Sequence, residues 1–223
     1  MGIKIAIDGP SGSGKSSVAK VLAMHMGLVH IDTGAMYRTV ALAAKAQNVD
    51  WADESGLTNL LKKINIDIQF SERGQRIFLD GRDVTDDVRT AEMGVGAAKV
   101  SIYNGVREKL VDMQRKMAEN EAAGVVMDGR DIGTVVLADA DFKIFLTADV
   151  DVRARRRCGE LEKLGQPWNY EEIAAQISRR DFEDMTREVS PLKQADDAVV
   201  VDASGLDIAG VVQEIKKIIE GSV

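Results

Sequence analysis

Eight residues into the chain, Gly9-Pro10-Ser11-Gly12-Ser13-Gly14-Lys15-Ser16-Ser17 carries the spacing G-x-x-x-x-G-K-[ST], which cradles phosphate. Glycines let backbone N–H groups converge on phosphate oxygens, the start of a following helix adds positive potential, and Lys15 adds a full charge. The ligand such a loop takes is a nucleoside triphosphate, and the Ser16 hydroxyl is the expected Mg2+ ligand. A transferase built on this loop must also hold a second anion in line with the γ-phosphate. Arg38, Arg107, Arg130, Arg180 and Arg187 are candidates, because a forked guanidinium matches phosphate oxygens. Arg153 to Arg157 would close over the nucleotide and keep water out. Asp128, after Val125-Val126-Met127, reads either as the acidic residue that completes a Mg2+ site or as a helix-capping carboxylate.

These residues need elements to hold them. Ile3 to Ile7 reads as a buried strand and Ser17 to Met26 as a helix, so the glycine loop lies between a strand and a helix. Val29 to Ile31, Gly124 to Met127, Phe142 to Leu146 and Ala198 to Val201 read as further strands. Met36 to Ala46, Leu57 to Ile64, Val106 to Glu121, Val152 to Leu164, Tyr170 to Arg187 and Ile208 to Ile219 read as helices. Ile66 to Gln69 and Arg76 to Leu79 alternate around a turn at Ser71-Glu72-Arg73-Gly74. With the extended piece beginning at Val84, they suggest a small antiparallel element apart from the main sheet. The expected fold is therefore α/β: a P-loop kinase with a mostly parallel sheet covered by helices. Residues 33–97 read as an insertion that carries part of a substrate site. Ligands of such sheets gather beyond the C-terminal strand ends, where the P-loop, Asp32 and Asp128 fall.

Composition narrows the partners. A length of 223 residues suits one α/β domain, and no apolar run long enough for a membrane span occurs. A net charge of −7 argues against a nucleic-acid binder, yet seven of the fifteen arginines lie between Arg153 and Arg187. That concentration suits a small, highly charged anion. A chain that enters a core strand at once leaves no room for a signal peptide, and the single Cys158 fits a reducing cytoplasm. Cys158 is read as a bystander, His25 and His30 as structural, and the methionines as core filler.

Longer segments resemble one family, the bacterial cytidylate kinases, which are nucleoside monophosphate kinases. The segments are Ile7 to Ser16, Ile31-Asp32-Thr33-Gly34-Ala35-Met36-Tyr37-Arg38, Met127 to Val136, Asp141 to Ala148, Arg179 to Arg187, and Pro191 through Asp202. They keep the family's order and span nearly the whole chain, and Asp128-Gly-Arg-Asp-Ile-Gly-Thr-Val-Val136 is far more specific than the P-loop. The resemblance implies transfer of the ATP γ-phosphate to CMP or dCMP with magnesium, on a core of 1–32, 98–150 and 168–223 that carries a monophosphate-binding insertion at 33–97 and a short helical lid at 151–167. The protein is expected to be a cytoplasmic monomer. The resemblance also implies that Arg38, Arg130 and Arg187 grip the acceptor phosphate, Arg180 and Asp184 meet the sugar, and Tyr37 and Thr33 line the pocket. Arg107 and Asp131 would read cytosine: a carboxylate suits the N4 amino donor, a guanidinium suits N3 and O2, and uracil's O4 would be repelled.

One position departs from the pattern. Ala98 stands nine residues before Arg107, where family members often carry serine, and Ser101 follows one turn later. Thr33 replacing a common serine is a milder change. Two other readings remain at this stage: a P-loop kinase with a different phosphorylated acceptor, and a nucleotide-dependent binding module. The Asp128 to Asp131 segment and the long insertion favour the monophosphate kinase.

Overall fold

Alternate residues of the first strand, β1 (Ile3–Asp8), face opposite sides of one sheet, as a period of two requires. Ile5 and Ile7 enter a core with Val18 and Leu22 of the first helix and with Val211 and Ile215 near the C-terminus. Ala6 enters another core with Ile31, Val111, Val125 and Met127. The structure is a computed structural model and describes residues 2–71 and 74–221.

After β1 come α1 (Lys15–Met26), β2 (Val29–Asp32), α2 (Thr33–Ala46), α3 (Glu54–Leu61), β3 (Ile66–Ser71), β4 (Gly74–Leu79) and β5 (Arg82–Asp83). A 3₁₀ turn at Asp87–Arg89 leads into α4 (Ala91–Val100), α5 (Asn104–Asn120) and β6 (Gly124–Gly129). A π-helical turn at Ile132–Val136, β7 (Phe142–Thr147), α6 (Val150–Lys163), α7 (Tyr170–Thr186), β8 (Val199–Asp202) and α8 (Ile208–Glu220) complete the described chain. The main sheet has five strands in the order β2-β6-β1-β7-β8, and every neighbouring pair is parallel. Both faces are covered, which is the usual condition for a parallel sheet. The register sets Asp32 beside Asp128 and Asp8 beside Gly129, so four residues at strand C-termini share one rim.

The strands β3, β4 and β5 form a separate antiparallel sheet; the alternation predicts the first two, whereas the third is Arg82–Asp83 and ends before Val84, where the sequence pattern places the start of an extended piece. Of the turn expected between its first two strands, Glu72 and Arg73 lie outside the described residues. This sheet packs with α2, α3, α4 and the start of α5 around a core of its own, in which Met36, Leu57, Leu60, Ile77, Val100 and Leu110 are buried. Helix α5 joins the two bodies: Val106 and Leu110 belong to this core, Val111 and Ala118 to that of the main sheet.

The sequence pattern missed α4. Its Gly94 and Gly96 each lower helix propensity by about 1 kcal/mol relative to alanine. A Cβ at Gly96 would stand 2.6 Å from Ala41 Cβ and 2.8 Å from the Trp51 ring, so glycine is what lets α4 pack closely on α2. Tertiary packing outweighs local propensity here. The π-helical turn was likewise unread, because its short apolar run gives no period.

Candidate active site

The P-loop takes its shape from two glycines in particular. A Cβ on Gly9 would lie 2.0 Å from the Leu146 carbonyl oxygen, so only glycine lets the loop pass β7 this closely. Gly14 caps α1 at φ 94°, a left-handed conformation costly for other residues. Lys15 folds back into the loop, donating to the Pro10 carbonyl at 2.7 Å and lying 3.5 Å from Ser13 Oγ. Burial, reinforced by the Arg130 charge, pushes its ammonium well below the ordinary lysine range. Such a group gains from an anion placed beside it.

Behind the loop, Ser16 Oγ donates to Asp128 Oδ2 at 2.7 Å, and His30 Nε2 meets Asp128 Oδ1 at the same distance. Burial alone would raise the Asp128 carboxyl, but His30, Ser16 and Lys15 outweigh it and hold it low. Its neighbour Asp32 is raised by burial and by the Asp128 charge. Asp32 also caps α2, accepting from Ala35 N at 3.1 Å. Thr33 Oγ1 donates to the Asp128 carbonyl at 2.8 Å and so ties the start of α2 to β6. The Gln75 side chain grips the backbone of Asp32, accepting from its N–H at 2.8 Å and donating to its carbonyl at 3.2 Å. The small sheet is thereby latched to the rim of the large one.

A cleft of about 1260 Å³ runs from the P-loop to these residues and beyond. That exceeds a typical single-ligand pocket and leaves room for two ligands side by side. Arg38, Arg107, Arg130, Arg180 and Arg187 all line it, although they come from α2, α5, the segment after β6, and α7 with its C-terminal cap. Tyr37, Thr33, Asp131 and Asp184 line it too. Arg130 Nε donates to Asp184 Oδ2 at 2.7 Å, and this pairing keeps the Asp184 carboxyl low against its burial. Arg107 pairs with Asp131; both are buried, and the guanidinium also lies 5.7 Å from the Tyr37 ring centroid. Burial pushes the Tyr37 hydroxyl up to about 12.

Two of the expected contacts are absent in this conformation. Arg153 does not face the cleft; it lies beneath the P-loop, donating to the Ser11 carbonyl at 2.9 Å and the Ala148 carbonyl at 2.8 Å and pairing with Asp181 at 2.7 Å. Arg157 points away and pairs with Glu160 at 2.9 Å. Their neighbours Arg155 and Arg156 line the cleft instead. Arg156 also reaches the carbonyls of Ala203 and Leu206, at 2.6 and 3.1 Å, which joins α6 to the loop after β8. Cys158, on α6, is buried where that helix packs against Ile173 of α7.

The sequence reading gave no site role to Asp8, His30, Gln75 or Arg89. Asp8 accepts from Ile132 N at 2.8 Å and Gly133 N at 2.7 Å, holding the turn that follows Asp131. Burial raises its carboxyl to about 6 despite those two donors. Arg89 lines the cleft from the 3₁₀ turn. His30, read as structural, leans on Asp128. His30, Gln75 and Arg89 belong to no local pattern that would signal them, and Asp8, although inside the Ile7 to Ser16 segment, has its partners at Ile132 and Gly133.

A glycine loop between the first strand and helix, carboxylates at neighbouring strand ends and an arginine array across one cleft define a P-loop kinase. Shikimate kinase from Bacteroides thetaiotaomicron has the same fold, with a TM-score of 0.50 over 98% of both chains at 15% identity. The sequence model of cytidylate kinase matches residues 5–221, and the chain belongs to the cytidylate kinase family. It is 46% identical to the cytidylate kinase of Caldicellulosiruptor bescii over 96% of this chain and 93% of that one. It is 48% identical to that of Bacillus cereus over 98% and 96% of the two chains.

Proposed function

We propose that this protein transfers the γ-phosphate of ATP to CMP and dCMP, releasing ADP with CDP or dCDP, and that the acceptor lies among the arginines opposite the P-loop. The observation that carries this reading is the buried Arg107–Asp131 pair in the wall of the cleft. Its carboxylate can accept from the cytosine amino group and its guanidinium can donate to N3 and O2. Uracil would set O4 against Asp131, leaving buried polar groups unpaired. Arg38, Arg130 and Arg187 hold the acceptor phosphate, and Arg180 and Asp184 the sugar.

A phosphate monoester is largely dianionic at neutral pH, its second pKa being about 6. The nucleophile is therefore already ionised and needs no general base. Catalysis falls to positioning and charge neutralisation. Lys15 and the loop N–H groups hold the donor phosphates, while Arg130 and Arg187 align the acceptor against them. We assign Arg153 to holding the loop through Ser11 rather than to touching nucleotide. Ser16 and Asp128 fit a magnesium ion, since both present hard oxygens and the Asp32–Asp128 repulsion would be eased by a dication. When bound, the ion neutralises phosphate charge. The single cysteine supports a cytoplasmic setting, and we take the active unit to be the monomer.

Turnover of a monophosphate panel with Mg·ATP tests the reading. CMP and dCMP should be phosphorylated orders of magnitude faster than UMP, AMP or shikimate; equal turnover of UMP would overturn the base-reading assignment.

A further inference from the structure

The guanidiniums of Arg107 and Arg187 are neighbours in the cleft wall, Arg107 being ion-paired with Asp131. Burial, and next the charge of Arg107, pushes Arg187 below the ordinary arginine range. Among the described residues Arg187 has no ion pair, while Asp131 pairs with Arg107 and Asp184 with Arg130. Serine oxygens hold the two arginines together instead. Ser190 accepts from Arg107 Nε through its hydroxyl, at 3.1 Å, and from Arg187 Nε through its carbonyl, at 2.7 Å. Ser101 does the converse: its carbonyl accepts from an Arg107 Nη at 3.2 Å and its hydroxyl from an Arg187 Nη at 3.3 Å. Each serine thus offers its hydroxyl to one arginine and its carbonyl to the other.

The backbone bends to make this possible. Ser190 adopts φ 49°, one of three left-handed non-glycine residues in the described chain. Such a conformation persists where the surroundings impose it. Here the next turn is fastened to α7 by Leu192 N, which donates to the Asp184 carbonyl at 2.7 Å. The chemistry of the acceptors matters equally. Arg107 keeps Asp131 as its partner, but at Arg187 a paired carboxylate would neutralise the guanidinium and compete with an incoming phosphate. Neutral oxygens fix orientation and leave the charge for the ligand.

We propose that Ser101 and Ser190 form a neutral bridge that locks Arg107 to Arg187, so that recognition of the acceptor's base and of its phosphate is one coupled event. Both serines are positioning residues for the acceptor and take no part in holding ATP. Naming Arg107 as base reader and Arg187 as phosphate holder rests on the function proposed above; the bridge itself is geometric.

The test is steady-state kinetics on Ser190→Gly, Ser190→Ala, Ser101→Ala and Ser101→Thr. Ser190→Gly deletes the hydroxyl while relieving the left-handed backbone, so a loss seen in both position-190 variants cannot be blamed on misfolding. Each hydroxyl deletion should raise KM for CMP roughly tenfold, as loss of a hydrogen bond to a charged group allows, with KM for ATP within about twofold of wild type. The position-190 variants should also lose CMP-over-UMP preference, and Ser101→Thr, which keeps a hydroxyl, should restore KM. Ser101→Ala combined with Ser190→Gly should cost less than the product of the single effects, because both act on one bridge. Unchanged acceptor KM, or an equal rise in KM for ATP, would overturn the bridge. If the wild type prefers another monophosphate, the cytosine reading fails, while the same KM comparison on that monophosphate still decides the bridge.

Discussion

The two ends of the cleft are built on opposite plans. The donor end is one contiguous loop whose working groups are backbone N–H groups and a single lysine, shaped by glycines. The proposed acceptor end is assembled from side chains of α2, α5, α7 and the segment after β6, with Arg107, Arg130 and Arg187 oriented by carboxylates, carbonyls and hydroxyls. A backbone cradle recognises what every triphosphate shares and needs little support. A side-chain array can tell one base from another, but only while its supporting contacts hold. Damage to the donor end should therefore appear in kcat, and damage to the supports of the acceptor end in KM and selectivity.

The largest expected effect is at the donor end. Lys15→Ala should lower kcat by about 10³-fold, the scale set by removing a preorganised charge from a transferring group. CMP binding measured by calorimetry should persist; its loss would mean that the two ends are not separable.

The next effect concerns the buried carboxyl that joins the ends. Asp8 is raised in the fold from 3.8 to about 6, so the folded protein holds its proton more tightly than the unfolded chain does. The stability this contributes is complete below about pH 4 and is lost as pH rises through about 6. Asp8→Asn cannot titrate, so its stability relative to wild type should rise with pH by on the order of 3 kcal/mol between about pH 4 and 7. Urea unfolding at several pH values reads this directly, and parallel pH profiles would contradict it.

The smallest effect is at the latch between the two sheets. Gln75→Ala removes both hydrogen bonds to the Asp32 backbone. KM for CMP should rise about fivefold with KM for ATP unchanged, in line with the modest net worth of exchangeable hydrogen bonds. A rise in KM for ATP instead would place the latch on the donor side.

The same contrast explains what could be read from sequence. The P-loop was legible because its chemistry is local, and the strands around it because burial on both faces leaves apolar runs. The acceptor arginines could be suspected individually, but their convergence came only through resemblance to a family. Within Arg153-Ala-Arg-Arg-Arg157, composition does not say which members face the cleft; helix rotation and burial do, and they select Arg155 and Arg156 over Arg153 and Arg157. Asp8, His30 and Gln75 act across long sequence separations, as does Ser190 toward Arg107, so no spacing rule marks them. Helix α4 was hidden by glycines that its packing requires.

The most direct test of the account compares kcat/KM for CMP and UMP, with saturating Mg·ATP, in wild type and Asp131→Asn. The substitution keeps the side chain's shape and replaces one carboxylate oxygen with an amide donor that uracil O4 can accept. Wild type should favour CMP by several orders of magnitude, and the variant should lose most of that preference, chiefly through weaker use of CMP. A variant that slows yet keeps the wild-type CMP-to-UMP ratio would contradict the claim that Asp131 reads the base.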